Sequence, residues 1–275
     1  MESKYSLVSL AAEESPSQSL VFMKAPEAWT YSQGEGSSLV AFDTGMDFAH
    51  EDITVEPTHR LGFCASEPGP EDRHGHGTAI GGICASPHNG LGILGCAPAA
   101  TLISAKVLNG QGNGRIEDID AALDWAIKAR PKVALITFGS TQPFPMYVEE
   151  KLRQLAGAGC IIVAGQKASR GTPIYPGAYT YVVSVDGPGD DSSADLRCWV
   201  GYMRVPIPGG GYDRAWPSNA ASALVAGAAA LLSSADDNLD GAGVRDLLLR
   251  TSYDHVANGR VYRQVDVLAA VRAIA

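Results

Sequence analysis

Trp216-Pro217-Ser218-Asn219-Ala220-Ala221-Ser222-Ala223-Leu224-Val225-Ala226-Gly227-Ala228-Ala229-Ala230-Leu231-Leu232 runs without a single charged residue. A helix that is apolar on every side belongs in the middle of a domain. From Ala220 to Leu232 it spans about 13 residues, too few for a bilayer, which takes about 20. Ser218 or Asn219 is placed to cap its start, and its small residues let neighbouring backbone approach closely. The start of such a helix gathers unpaired N–H groups and positive dipole, an environment that suits a reacting oxyanion.

Working outward, Ser38 to Phe42 is a short apolar run that stops at the polar turn Asp43-Thr44-Gly45, as a buried strand does. Strands are predicted again over Thr101 to Leu108, Val133 to Phe138, Cys160 to Ala164, Tyr181 to Val185 and near Trp199 to Val205. Helices are predicted over Thr78 to Ala85, Arg115 to Arg130, Val148 to Ala158, Val244 to Thr251 and Val265 to Ala275. Alternating strands and helices predict an α/β fold: a doubly wound, mostly parallel sheet with helices on both faces. Residues 1–275 read as a single domain, with 1–20 as an irregular N-terminal arm and no internal repeat. A chain of this length buries about three quarters of its unfolded surface, so it needs no covalent staples.

The 21 basic and 30 acidic residues leave a formal charge of −9, which argues against nucleic acid or an anionic membrane as partner. The five cysteines, Cys64, Cys84, Cys96, Cys160 and Cys198, are odd in number and form no C-x-x-C pair. Three of them sit in apolar contexts, so buried free thiols are expected rather than disulfides or metal ligands. The first 14 residues carry a broken apolar stretch followed by Glu13 and Glu14, which is not the pattern of a signal peptide. A cytoplasmic setting is expected.

In parallel sheets, sites collect at the C-terminal ends of strands. Asp43 stands at such an end, and His76 opens a predicted helix in His76-Gly77-Thr78-Ala79-Ile80-Gly81. An early Asp, then a His, then a small-residue helix late in the chain is the order of one known Asp–His–Ser arrangement, in which the carboxylate fixes the imidazole tautomer, the imidazole takes a proton and a hydroxyl attacks. Around these residues the chain resembles the subtilase family of subtilisin-like serine peptidases. Val40-Ala41-Phe42-Asp43-Thr44-Gly45-Met46-Asp47 looks like its aspartate motif. His76-Gly77-Thr78 with Gly81 looks like its histidine motif, and Ser222 with Val225-Ala226-Gly227 like the tail of its serine motif. Gly95-Cys96-Ala97-Pro98, Lys106-Val107-Leu108 and Tyr175-Pro176-Gly177 resemble three further segments. The match runs from about Lys24 to Ala270, in the family's order.

The departures bear on function. Counted back from Val225-Ala226-Gly227, the nucleophile position implied by the resemblance falls on Asn219, with Ser218 beside it as the alternative nucleophile. The oxyanion position falls on Gln166, in Gly165-Gln166-Lys167. An amide nitrogen delocalised into its carbonyl does not attack. The resemblance further implies peptide-binding edges at Gly112-Asn113-Gly114 and Phe138-Gly139-Ser140, which would pair with an extended segment by strand addition. It implies a structural calcium at Asp52 and Asn89, with Glu14 nearby and the carbonyls of Pro87, Leu91 and Ile93, although no cofactor is required by the reading. Three functions are compatible with these residues. The first is a degenerate subtilase that binds a peptide or protein segment in extended form. The second is an active serine endopeptidase using Asp43 and His76 with Ser218 or an atypical nucleophile. The third is a non-catalytic subunit supporting an active paralogue. The fold expectation common to all three is that Asp43, His76 and Asn219 converge.

Overall fold

The computed structural model describes residues 14–165, 168–169, 171–187, 193–215, 219–257 and 260–275. Its centre is a seven-stranded sheet. Strands β1 (Ser38–Asp43), β2 (Arg60–Gly62), β3 (Thr101–Lys106), β4 (Val133–Ile136) and β5 (Ile161–Gly165) belong to it. After the small pair β6 (Ala168–Ser169) and β7 (Thr172–Pro173), β8 (Val183–Asp186) and β9 (Leu196–Arg197) complete it. The order is β2-β3-β1-β4-β5-β8-β9, and every pairing is parallel. The doubly wound α/β fold expected from the sequence is therefore present.

Side-chain alternation along the strands sorts the core into two layers. Leu39, Ala41, Val133, Leu135, Ile161 and Val163 face one layer. Val40, Phe42, Ala134, Ile136, Ile162 and Ala164 face the other. Period-two apolar residues on both sides are what a sheet covered by helices on both faces requires. The first layer is closed by α3 (His76–Ala85), α6 (Ala220–Ala235), α7 (Gly241–Thr251) and α8 (Val267–Arg272). The second is closed by α4 (Ile116–Ala129) and α5 (Met146–Gly157).

Every residue of α6 from Ala220 to Ser233 is buried, as its uncharged sequence predicts. It packs against α3 so tightly that a Cβ on Gly227 would stand 2.5 Å from Cys96 Cβ and 2.9 Å from the Cys84 carbonyl oxygen. All five cysteines are free and buried. Burial pushes the thiols of Cys84, Cys96 and Cys160 up and that of Cys198 up to about 12, so they are packing groups rather than reactive ones.

The structure departs from the sequence reading at the periphery. Within the stretch 1–20 expected as an irregular arm, Ser15 bridges to Ile93, and helix α1 (Gln18–Phe22) starts on the Ser17 cap, followed by α2 (Ala25–Ala28). The strand expected near Trp199 to Val205 is β10 (Met203–Pro206), one arm of an antiparallel hairpin with β11 (Tyr212–Ala215) rather than a sheet strand. A second hairpin, β12 (Tyr253–Ala257) with β13 (Arg260–Gln264), lies between the last two predicted helices, where the sequence reading placed no element.

Overpacking a filled core costs about 1–3 kcal/mol. Gly227→Ala is expected to lose that much in urea denaturation. Gly157→Ala, at a helical position where an added Cβ meets nothing within 4 Å, is expected to gain about 0.5 kcal/mol by restricting the unfolded chain.

Candidate active site

Strand β1 is flanked by β3 on one side and β4 on the other, so the strand order reverses there. A crevice at the C-terminal end of a sheet forms at such a reversal. Asp43 is the last residue of β1 and is 1% exposed. His76 is the first residue of α3, and its Nδ1 lies 2.9 Å from both carboxylate oxygens of Asp43. The Thr44 N–H donates to Asp43 Oδ1 at 2.6 Å. A buried carboxylate held this way fixes which imidazole nitrogen faces inward.

Two backbone contacts explain the glycines beside these residues. Gly45 has φ of +99°, and a Cβ there would lie 2.3 Å from the Pro70 carbonyl oxygen. A Cβ on Gly77 would lie 2.0 Å from the Gly45 carbonyl oxygen. The turn after Asp43 and the helix start carrying His76 are thus in direct backbone contact.

Asp72, which sequence reasoning missed, joins the two. It is 7% exposed. Its Oδ1 accepts from Thr44 Oγ1 and from the N–H groups of His74 and Gly75, at 2.9, 2.9 and 2.8 Å. Its Oδ2 accepts from the N–H and the hydroxyl of Thr78, at 2.9 and 2.6 Å. Thr44 Oγ1 in turn accepts from the Gly77 N–H at 3.0 Å. The available signal was an acid just upstream of a helix that opens on glycine, where a carboxylate satisfies unpaired first-turn donors. Lys106, 1% exposed, closes the other side. Its Nζ donates to the carbonyls of Thr44 and Glu71 at 2.9 Å each and pairs with Glu67 at 2.8 Å. The hydrogen bond from Lys106 holds the Glu67 carboxyl below its usual range.

Asn219 occupies the N-terminal cap position of α6, but its side chain does not cap the helix as expected. Its φ of +67° puts it in the left-handed region, which Asn tolerates better than most residues. Its Nδ2 donates instead to the Thr137 carbonyl at 2.7 Å. Its Oδ1 fills the space above Gly165, where a Cβ would stand 2.5 Å from it. The Thr137 hydroxyl donates to the Phe42 carbonyl at 2.9 Å, one residue before Asp43. Asn219 is therefore linked to the Asp43–His76 pair through the ends of β4 and β1. Ser218 and Gln166 lie outside the described residues.

The two segments read as peptide edges are partly engaged within the chain. In 112–114 the Gly112 N–H donates to the Asn109 carbonyl at 2.9 Å and the Asn113 N–H to Asn109 Oδ1 at 3.0 Å. Gly114 forms an isolated bridge with Leu108. The Asn109 side chain closes this turn on itself, so the segment is not an open edge along its whole length. In 138–140, Ser140 and Tyr175 exchange backbone hydrogen bonds at 2.9 and 2.8 Å. Phe138 and Gly139, with Thr137, Gly165, Ile174 and Asn219, line a cavity of about 260 Å³.

The residues implied for calcium come together without presenting their oxygens to a common point. Asn89 donates through Nδ2 to Asp52 Oδ1 at 3.1 Å, while its own Oδ1 accepts from the Leu91 N–H at 2.8 Å. Asp52 Oδ2 accepts from the Ile93 N–H at 2.9 Å and the Tyr212 hydroxyl at 2.7 Å. Glu14 Oε1 accepts from the N–H groups of Asn89 and Gly90 at 2.8 and 3.0 Å. Among the described residues, no three His, Cys, Asp or Glu side chains gather as a metal site would need. As arranged, the side-chain oxygens of Asp52, Asn89 and Glu14 accept hydrogen bonds within the chain.

The sequence profile of the Subtilase family matches residues 34–266. Subtilisin BL of Lederbergia lenta is 28% identical over 230 residues, which cover 80% of this chain and 84% of the relative. The intracellular serine protease of Paenibacillus polymyxa is 29% identical over 229 residues, covering 76% and 70%. Thermitase of Thermoactinomyces vulgaris is 26% identical over 224 residues, covering 77% and 80%. No described helix is long and apolar enough to cross a membrane.

Replacing the Asp72 carboxylate strands several buried donors. Asp72→Ala is expected to lose about 2–4 kcal/mol in chemical denaturation. A low-field proton NMR signal from His76 Nδ1–H is expected in the parent and should broaden or vanish in the variant.

Proposed function

The chain belongs to the subtilase family, and on that footing we propose that it is a catalytically degenerate member that holds an extended peptide or protein segment without cleaving it. The observation that carries the proposal is Asn219. At the start of the buried helix it brings no hydroxyl, and its amide is committed to the Thr137 carbonyl. In subtilisin, losing the nucleophile costs about 10⁶ in kcat, roughly 8 kcal/mol. Gln166, at the oxyanion position, adds a second change: loss of one such donor costs about 10²–10³ in kcat, although the two effects do not add.

The peptide surface that this reading uses is narrower than two open edges. Backbone groups alternate in direction along an extended chain. With Ser140 turned toward Tyr175, pairing with a ligand falls to Thr137 and Gly139. The cavity beside them is of a size for one side chain of the bound segment. The Thr137 acceptor is already taken by Asn219, which weakens the outermost pairing. A cytoplasmic location belongs to the same reading, supported by five buried thiols with no disulfide.

A second reading, an active serine endopeptidase using Ser218, is favoured by one observation, the intact Asp43–His76 pair. A fluorophosphonate probe separates the two. The parent should not be labelled. Asn219→Ser with Gln166→Asn should gain labelling at residue 219, and Asn219→Ser alone should be about 10²-fold slower. Serine must adopt the positive φ of residue 219, which itself costs about 1 kcal/mol or more. Labelling of the parent, abolished by Ser218→Ala in a variant that remains folded, would establish the active reading instead.

The proposal includes no cofactor. A cation bound at saturation to the loop of Asp52 and Asn89 would raise Tm by about 5–10 °C. Calcium and EDTA are expected to give the same Tm, read by calorimetry.

A further inference from the structure

A second cavity, of about 430 Å³, shares no lining residue with the candidate active site. Its apolar floor is made by Leu20, Ile83, Leu94, Met203 and Leu224, all buried. At its polar rim stand Arg204 and Arg214. These two arginines are directly opposite one another in the β10–β11 hairpin. Like charges in that position repel and destabilise a strand pair. Among the described residues, neither guanidinium has a carboxylate oxygen within 4.0 Å. The Arg204 guanidinium stacks on the Tyr212 ring, 3.9 Å from its centroid. The Tyr212 hydroxyl in turn donates to Glu51 and Asp52 at 3.0 and 2.7 Å.

A cavity of this size with an apolar floor and a few convergent polar groups is the usual form of a small-molecule site. Here the charged lining residues are two arginines paired across the strands, beside Ser15, Ser17 and Gln18, and guanidinium matches a planar carboxylate through paired N–H donors. The chain carries a formal charge of −9, so a ligand with a single negative charge meets less opposition than a dianion. We propose that this cavity binds an amphipathic monocarboxylate, its apolar body on the floor and its carboxylate between Arg204 and Arg214. Binding neutralises the cross-strand repulsion, so the ligand also stabilises the hairpin. The site is independent of whether the protein cleaves peptides.

Titration calorimetry of the full chain with sodium octanoate tests the proposal. Saturable one-to-one binding is expected. Acetate, which lacks the apolar body, octylamine, which carries the opposite charge, and inorganic phosphate should each bind at least about tenfold more weakly, because charge-assisted hydrogen bonds and apolar burial both contribute. Arg204→Gln and Arg214→Gln should each weaken octanoate about tenfold. Arg214 is exposed, so its variant folds readily. Without ligand, its Tm should equal or exceed that of the parent, since one repelling charge has gone. Four results would overturn the proposal: no octanoate binding at millimolar concentration, octylamine binding as tightly as octanoate, phosphate binding more tightly than octanoate, or octanoate affinity unchanged in Arg214→Gln.

Discussion

The carboxylate of Asp72 is the interaction on which the candidate site depends. Five hydrogen bonds converge on it, from Thr44, His74, Gly75 and both the N–H and the hydroxyl of Thr78. A negative charge buried this deeply is tolerable only when its lone pairs are filled. Once they are filled, the turn after β1 and the first turn of α3 move as one body. The Asp43–His76 contact is then a consequence of backbone geometry, not of two side chains finding each other. Lys106 acts from the opposite side, fixing the Thr44 carbonyl and bringing the charge that balances Glu67. The glycines at 45 and 77 permit the approach that Asp72 stabilises. They are required by contact, since any side chain would overlap backbone oxygen.

The centre of the fold was legible because burial and periodicity agree there. Leu39 to Phe42 and Val133 to Ile136 are apolar on both sides, which only a doubly covered sheet explains. The helix at Ala220 could be placed because nothing else accommodates fourteen uncharged residues in a row from Ala220 to Ser233. The rim was less legible. The Asn258-Gly259 pair between Val256 and Val261 is a strong hairpin signal that the helix-and-strand periodicity used for the core does not register. The β10–β11 hairpin hides behind Gly209-Gly210-Gly211, which reads as a loop without saying that the chain doubles back. Asp72 was harder to read for a different reason. Its partners are mostly backbone N–H groups, which every sequence has, and only the three-dimensional path shows that they converge.

The site residues were placed by order along the chain, and order does not report side-chain commitments. Asp43 and His76 meet as expected. The polar residues of the other implied sites are spent on one another more fully than the sequence suggests: Asn109 on the 112–114 turn, Asn89 on its own loop and on Asp52, Tyr212 on Asp52. Each of these closes a loop from within the chain. The consequence for the calcium reading is direct. A loop whose carboxylate already accepts from two side chains and a backbone N–H has little oxygen left to offer.

Asn219 joins these strands of argument. Its residue type, its backbone and its hydrogen bond all fit one another. A positive φ at the first position of a buried helix is costly for most side chains and mild for Asn. Its amide satisfies the Thr137 carbonyl, which would otherwise need a partner at the C-terminal edge of the sheet. Its oxygen occupies the space left by Gly165. A serine at this position would release the carbonyl and leave a gap above Gly165 while carrying more backbone strain. Stability at this point of the fold therefore favours asparagine over serine. That is the opposite of the usual arrangement at an active centre, where strain is retained because chemistry needs it. On the proposal of a site that holds a chain without cutting it, the Asp43–His76 pair stays assembled while the helix start takes the residue that suits its backbone best.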